Sequence, residues 1–290
     1  MNKNIPNRIL QKYEKMTKAE KKIANYILEH IDSLSLTSIT ELADSCNVAD
    51  STIFRFCKLL GYGGYQEFKI ALAQEQGRTS RGETKEVTSF SESNLLQNEA
   101  ITAMGQRLKL QYVEAISQTL ELLDPESVTK AALLFHESKN IYCFGSGVSM
   151  IIATEAWGRF IGIGKTFITL QDSHLKLVSA TQLTEKDTIW LFSYSGSTKE
   201  GLNLLTVAKK RGAKIVVVTR FKNSPIAKLA NILLICGANE SPLQSGSVVA
   251  KMAQLTVIDM VYYEYIRLYK EEFEQNATDS SIINASYTHL

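Results

Sequence analysis

Ser193-Tyr194-Ser195-Gly196-Ser197-Thr198-Lys199-Glu200 follows directly on the apolar run Thr188-Ile189-Trp190-Leu191-Phe192. A strand that ends in a Ser/Gly/Thr loop and then opens a helix makes an anion site. The first helical turn carries unpaired N–H groups, the helix dipole is positive at that end, and three hydroxyls converge there. The loop lacks the Gly-x-x-x-x-Gly-Lys of a nucleotide P-loop, so a small phosphorylated metabolite suits it better than a nucleoside triphosphate. Ser197-x-x-Glu200 also has the spacing of a capping box, which would account for the loop with no ligand at all.

A second loop of the same make adds weight to the ligand reading. Ile141-Tyr142-Cys143-Phe144 runs into Gly145-Ser146-Gly147-Val148-Ser149 and then a helix-like stretch from Met150 to Ile161. Gly145-x-Gly147 has no third glycine at the dinucleotide spacing, which disfavours a Rossmann cofactor site. From residue 140 onward short apolar strands (141–144, 166–170, 188–193, 214–219, 231–235) alternate with helices at about 148–162, 174–181, 198–211 and 224–230. A long helix at about 245–274 closes the series. This alternation predicts an α/β doubly wound five-stranded parallel sheet, and such sheets bind ligands at the carboxyl ends of their strands.

Composition sets the frame. The 290 residues are 44% hydrophobic and 21% charged, with a formal net charge of +2. Residues 1–78 carry 11 Lys/Arg against 9 Asp/Glu, and the excess lies in residues 1–22, at 7 against 2. Cys46, Cys57, Cys143 and Cys236 show no C-x-x-C spacing and read as reduced, buried small side chains. Four scattered histidines give no metal signature, and neither metal nor cofactor is expected. The first twenty residues hold no apolar signal core, and Glu155, Arg159 and Lys165 interrupt the apolar stretch at 151–170. Both observations lead to the expectation of a cytoplasmic protein without a membrane span.

Residues 17–75 read as wholly helical. Thr17-x-x-Glu20 is a capping box, followed by Ile23, Tyr26, Ile27 and Ile31 at helical spacing. Short helices at Ser38–Ser45 and about Asp50–Leu60 flank the tight Cys46-Asn47-Val48-Ala49 connection, and a fourth covers about Tyr65–Gln74. Ser38 to Leu60 thus has the form of a helix-turn-helix, with Ile39, Leu42, Ala43, Val48, Ile53 and Phe56 facing inward. Ser51, Thr52 and Arg55 then start the recognition helix, with Arg55 suited to a guanine edge and Lys58 to a phosphate. Lys18, Lys21 and Lys22 would add backbone contacts. The same periodicity allows a protein-interaction bundle. A polar linker follows at 76–94, and helical periodicity resumes at 95–123 before Asp124-Pro125 starts a further helix.

Residues 17–75, through Thr17-Lys-Ala-Glu20, Ser38-Ile-Thr-Glu-Leu-Ala43, Ser51-Thr-Ile-Phe-Arg-Phe-Cys-Lys-Leu-Leu-Gly61 and Phe68-Lys69, resemble the N-terminal domain of RpiR-family bacterial transcription regulators. Residues 128–265, through the two serine loops and Ser224-Pro225, resemble the sugar isomerase (SIS) domain that follows it there. Ala49 departs from the serine that usually caps the recognition helix, so Asp50 could take over the cap and shift the helix start. The resemblance implies a helix-turn-helix domain at 1–75, a linker at 76–94 and an SIS-like domain at 95–290. It implies a phosphosugar held by Ser193, Ser195 and Thr198 with the Gly196 and Ser197 amides, and met by Ser146 and Ser149. Glu240 falls near the position of a proton-moving glutamate in some SIS isomerases, and His174 lies where it could reach the sugar. The expected partners are a double-stranded DNA operator, a small phosphosugar effector and a second copy of the chain, as a homodimer or dimer of dimers. The expected function is a non-enzymatic regulator of sugar-metabolism genes, with a phosphosugar isomerase carrying an accessory helical domain as the rival.

Overall fold

A computed structural model describes residues 5–31, 34, 37–79, 101–238 and 247–276. The chain forms two compact units, and their division falls between Leu110 and Gln111.

The first unit is helical: α1 (Ile5–Lys12), a 3-10 turn (Tyr13–Lys15), α2 (Lys18–Glu29), α3 (Ile39–Cys46), α4 (Asp50–Leu59) and α5 (Tyr65–Thr79). Thr17 caps α2 and Ser38 caps α3, each in a reciprocal box with Glu20 and Glu41. Ile23, Ile27, Leu42, Ala43, Ile53, Phe56 and Phe68 form the core, with Ile39 and Val48 half-buried against it. Sequence reasoning placed no helix before residue 17 and missed α1, which buries only Ile5 and Ile9, one turn apart. Glu75 accepts the Ile5 N–H at 2.7 Å, so a distant carboxylate secures the start of that helix. α5 also continues to Thr79, into the stretch expected to be linker.

The division falls within α6 (Ile101–Leu122); in the second unit the rest of α6 and α7 (Pro125–Glu137) precede a regular alternation: β1 (Asn140–Gly145), α8 (Val148–Phe160), β2 (Thr166–Thr169), α9 (Ser173–Ala180), β3 (Asp187–Phe192), α10 (Lys199–Lys210), β4 (Lys214–Thr219) and β5 (Ile232–Ile235). A final helix, α11 (Val248–Leu268), is followed by helical turns at 270–276, and the Tyr269 N–H still bonds back to Tyr265. The sheet is parallel throughout, in the order β2-β1-β3-β4-β5. Strand alternation divides its core into two layers. Trp190, Phe192, Val216 and Val218 face α7, α8 and α11, whereas Ile189, Leu191, Ile215 and Val217 face α9 and α10. Parallel strands buried on both faces have to be apolar nearly throughout, as β3 and β4 are.

The helix expected at 224–230 is a correction: the segment is a turn containing one 3-10 stretch, Ala227–Leu229. The Leu229 and Ala230 N–H groups bond back only three residues, to Ile226 and Ala227, so the turn tightens into 3-10 geometry and ends, while the Ile226 N–H holds it to the Gly196 carbonyl at 2.9 Å.

Candidate functional site

β1 and β3 are neighbours in register, with Gly145 beside Phe192, so loops 145–149 and 193–198 open side by side at the carboxyl edge. They leave toward opposite faces, into α8 and α10. This is the switch point at which a doubly wound sheet forms a crevice. The helix starts here differ from those of α2, α3, α7 and α9. Side chains of Thr17, Ser38, Asp124 and Asp172 cap α2, α3, α7 and α9. Gly147 before α8 and Thr198 before α10 make no side-chain cap bond, so no side chain competes with an incoming anion there. The capping box allowed by Ser197-x-x-Glu200 is not formed. Ser197 Oγ instead donates to the Ser195 carbonyl at 3.1 Å, and Glu200 is engaged elsewhere.

The second loop is built before any ligand arrives. Thr219 Oγ1 and the Arg220 N–H both donate to the Tyr194 carbonyl at 3.1 Å, and Tyr194 Oη donates to Ala238 O at 2.7 Å. Gly196 has φ +61°, and a Cβ there would lie 2.0 Å from Ser224 Oγ, so the 224–226 turn closes against the loop only because residue 196 is glycine. Ser193 is 4% exposed, and its Oγ has no hydrogen-bond partner among the described residues.

Three segments meet at Glu200. Its carboxylate accepts a hydrogen bond from Lys176 Nζ of α9 at 3.1 Å, and the hydroxyls of Ser146 in the first loop and Ser173 at the start of α9 also favour its charged form. Burial pushes the carboxyl upward, but these hydrogen bonds and the Lys176 charge outweigh it and leave Glu200 below its ordinary range. Lys176 is buried, and its Nζ also donates to the Gly145 carbonyl at 2.7 Å. Sequence reasoning missed both residues. Glu200 was absorbed into a capping box, and Lys176 sits in α9 among leucines and valine with nothing local to mark it.

The predicted effector residues distribute as follows. Ser146, Ser149, Ser197 and Thr198 are half-buried at the crevice, Ser195 is exposed and Ser193 is buried beneath them. His174 is exposed in the first turn of α9, next to Ser173. Glu240 lies outside the described residues.

In the first unit α3 and α4 are joined by Asn47 in the left-handed region, at φ 52°, with the Val48 N–H bonded to Ala43 O at 2.9 Å. Asp50 does not cap α4. Ala49 is the N-cap and makes no side-chain bond, while Asp50 is the first helical residue and accepts from Thr40 Oγ1 at 3.1 Å. The helix start is therefore unshifted and pinned to α3. Ser51, Arg55 and Lys58 are exposed on α4 and Thr52 is half-buried; Lys18 and Lys22 are exposed on α2 and Lys21 is half-buried.

Comparison with known proteins bears on both units. The family profile for the helix-turn-helix domain, rpiR family, matches residues 3–78, and that for the SIS domain matches residues 134–263. A protein named as an uncharacterized HTH-type transcriptional regulator in Caldanaerobacter subterraneus subsp. tengcongensis is 34% identical over 246 residues, 85% of this chain and 84% of that one. HTH-type transcriptional regulator RpiR of Escherichia coli K12 is 26% identical over 272 residues, 94% of this chain and 89% of its own. The structure of Vibrio vulnificus NanR complexed with ManNAc-6P superposes with a TM-score of 0.87 at 26% identity, covering 99% of this chain and all of that one. Among the described residues no helix is long and apolar enough to cross a membrane. With a helix-turn-helix unit ahead of a five-stranded SIS fold, and relatives matched along most of its length, the chain belongs to the rpiR family of helix-turn-helix transcriptional regulators.

Proposed function

We propose that this regulator binds operator DNA through residues 1–75 and that a phosphosugar held in residues 95–290 sets its DNA affinity, with 76–94 as the connection. The observation that carries the effector site is Ser193 Oγ, buried without a partner at the foot of an uncapped helix. A buried hydroxyl left unsatisfied in the free protein is accounted for by a ligand oxygen. Ser193, Ser195 and Thr198 hold the phosphate with the Gly196 and Ser197 amides, at the positive end of the α10 dipole. Ser146 lies beside the Glu200 carboxylate, whose negative charge disfavours a phosphate at the first loop. Ser146 therefore meets a sugar hydroxyl, and the phosphate belongs to the other loop. Ser149 and His174 line the sugar end, and Glu240 completes it. A phosphosugar is supported by NanR, whose structure was determined with ManNAc-6P.

Ser51, Thr52 and Arg55 read bases, while Lys58, Lys18 and Lys22 bind phosphates. Two copies pair so that two recognition helices meet two half-sites, as a homodimer or dimer of dimers. The sugar's unequal affinity for two arrangements of that assembly moves the heads; coupling of about 1–3 kcal/mol changes operator affinity about 5–150-fold. The regulated genes are then those that make or consume the phosphosugar, and the chain acts without catalysis in the cytoplasm.

The test is thermal stability against a panel of sugar phosphates and their free sugars. At 100 times its dissociation constant a ligand contributes about 2.7 kcal/mol, a readily measured rise in melting temperature. A rise with one phosphosugar, absent for the free sugar and lost in Ser195→Ala, supports the reading. No rise across the panel overturns it.

A further inference from the structure

Of the large apolar side chains described between Ile5 and Glu75, two stand in solvent: Leu10 on α1 and Phe54 on α4. Phe54 is 44% exposed, whereas its helix neighbours Ile53, Phe56 and Cys57 are buried on the inner face. At 100° per residue, Ser51, Arg55 and Lys58 fall within about 60° of one another on the outward side, and Phe54 borders Lys58 on that arc. The ring is also held. Lys58 Nζ lies 5.6 Å from its centroid, a cation–π distance, and a Cβ on Gly64 would come within 3.1 Å of Phe54 Cε2. Its far edge therefore rests against Gly64, and the ring stays exposed at the edge of the outward arc, next to Lys58.

In the major groove thymine presents one feature that hydrogen bonds cannot read, its C5-methyl, and an apolar side chain reads it by covering it. We infer that Phe54 is a specificity-determining residue of the DNA interface, its ring covering the methyl of a thymine beside the base addressed by Arg55. The inference rests on the reading of α4 as the recognition helix, which brings this ring to the groove with Lys58 and then Arg55 on its outward side. Lys58, drawn over the ring, keeps its charge at the phosphate side and fixes the ring plane.

The experiment starts with full-length protein and a randomised duplex library. Selection is expected to enrich a half-site containing thymine next to a guanine. Each thymine of that half-site is then replaced in turn by deoxyuridine, which removes only the methyl. For the wild type one replacement should weaken binding about fourfold, the value of one buried methyl group. Phe54→Ala should bind the thymine site more weakly and show no difference between thymine and deoxyuridine, and Phe54→Leu should retain part of it. Melting temperatures of both variants report whether the fold is intact, and the wild-type arm needs neither. Enrichment of a site at which no deoxyuridine replacement changes wild-type affinity overturns the role of Phe54 and leaves the DNA reading standing. Failure to enrich any sequence overturns the DNA reading and this inference with it.

Discussion

Lys176 and Glu200 form an ion pair of unequal burial: Nζ and Oε1 are 3.1 Å apart, with side-chain exposures of 3% and 32%. The lysine depends on its partner far more than the glutamate does. Loss of the carboxylate charge leaves an ammonium in the interior with little besides the Gly145 carbonyl to compensate it. Loss of the lysine leaves a carboxylate that solvent still reaches.

Glu200→Gln should therefore destabilise the α/β unit by about 1–3 kcal/mol, and Lys176→Met by less than about 1 kcal/mol. The chain's 2 tryptophans, Trp157 and Trp190, both lie in this unit, so their fluorescence follows its unfolding alone. Because folding lowers the Glu200 pKa, its stabilisation is present above about pH 4.5, the ordinary carboxyl value, and fades as pH falls through the lower folded value. The gap between wild type and Glu200→Gln should close over that acid range. Equal losses from the two variants would contradict the asymmetry.

Ser193→Ala separates a ligand role from a structural one. Its hydroxyl is buried without a partner, so its removal should leave the free protein unchanged or up to about 1 kcal/mol more stable. The bond it makes to a charged oxygen is worth about 1.5 kcal/mol or more, so phosphosugar affinity should fall at least about tenfold by calorimetric titration. A variant that melts lower and binds normally would assign the serine to folding.

On α4 and α2 the residues divide by what they read. Arg55→Ala should relax preference at one base position by about 1–3 kcal/mol and leave binding to unrelated DNA nearly unchanged. Lys18→Ala and Lys22→Ala should weaken all sequences alike and reduce the slope of log affinity against log salt by about 1 each. Measuring the slope for each variant on a selected site and on random DNA decides the assignment.

Lys69 gives the helical unit a dependence on alkaline pH. Burial lowers its pKa to about 8, against the opposing pull of the Glu41 charge. The folded state thus releases this proton before the unfolded one, and stability rises from about pH 8 up to the ordinary lysine value. Lys69→Met should raise the melting temperature of this unit at pH 7, with an advantage that shrinks by pH 9.5. Circular dichroism tracks this transition while tryptophan fluorescence does not report it.

The parallel sheet was legible because β1, β3 and β4 are apolar runs punctuated by glycine and serine, and the helix-turn-helix because its caps and apolar spacing are local. What escaped depends on distant partners. α1 is anchored by Glu75, seventy positions away. The 224–230 segment is held against the 193–198 loop by the Ile226 N–H bond to Gly196, and the Glu200 that a capping box would use is bonded to Lys176 instead. In each case the hydrogen bond is long-range and no local pattern shows it. The two serine loops were evident from the chain, but their linkage through Glu200 and the orphaned Ser193 hydroxyl became visible only once β1 and β3 were neighbours.

The coupling between the two units is tested most directly by equilibrium binding of the full-length protein to its selected duplex, titrated with the phosphosugar that raises its melting temperature. Operator affinity should change about 5–150-fold on saturation, with no change for the free sugar and none in Ser195→Ala. A phosphosugar that binds and stabilises the protein while operator affinity stays constant would contradict the account.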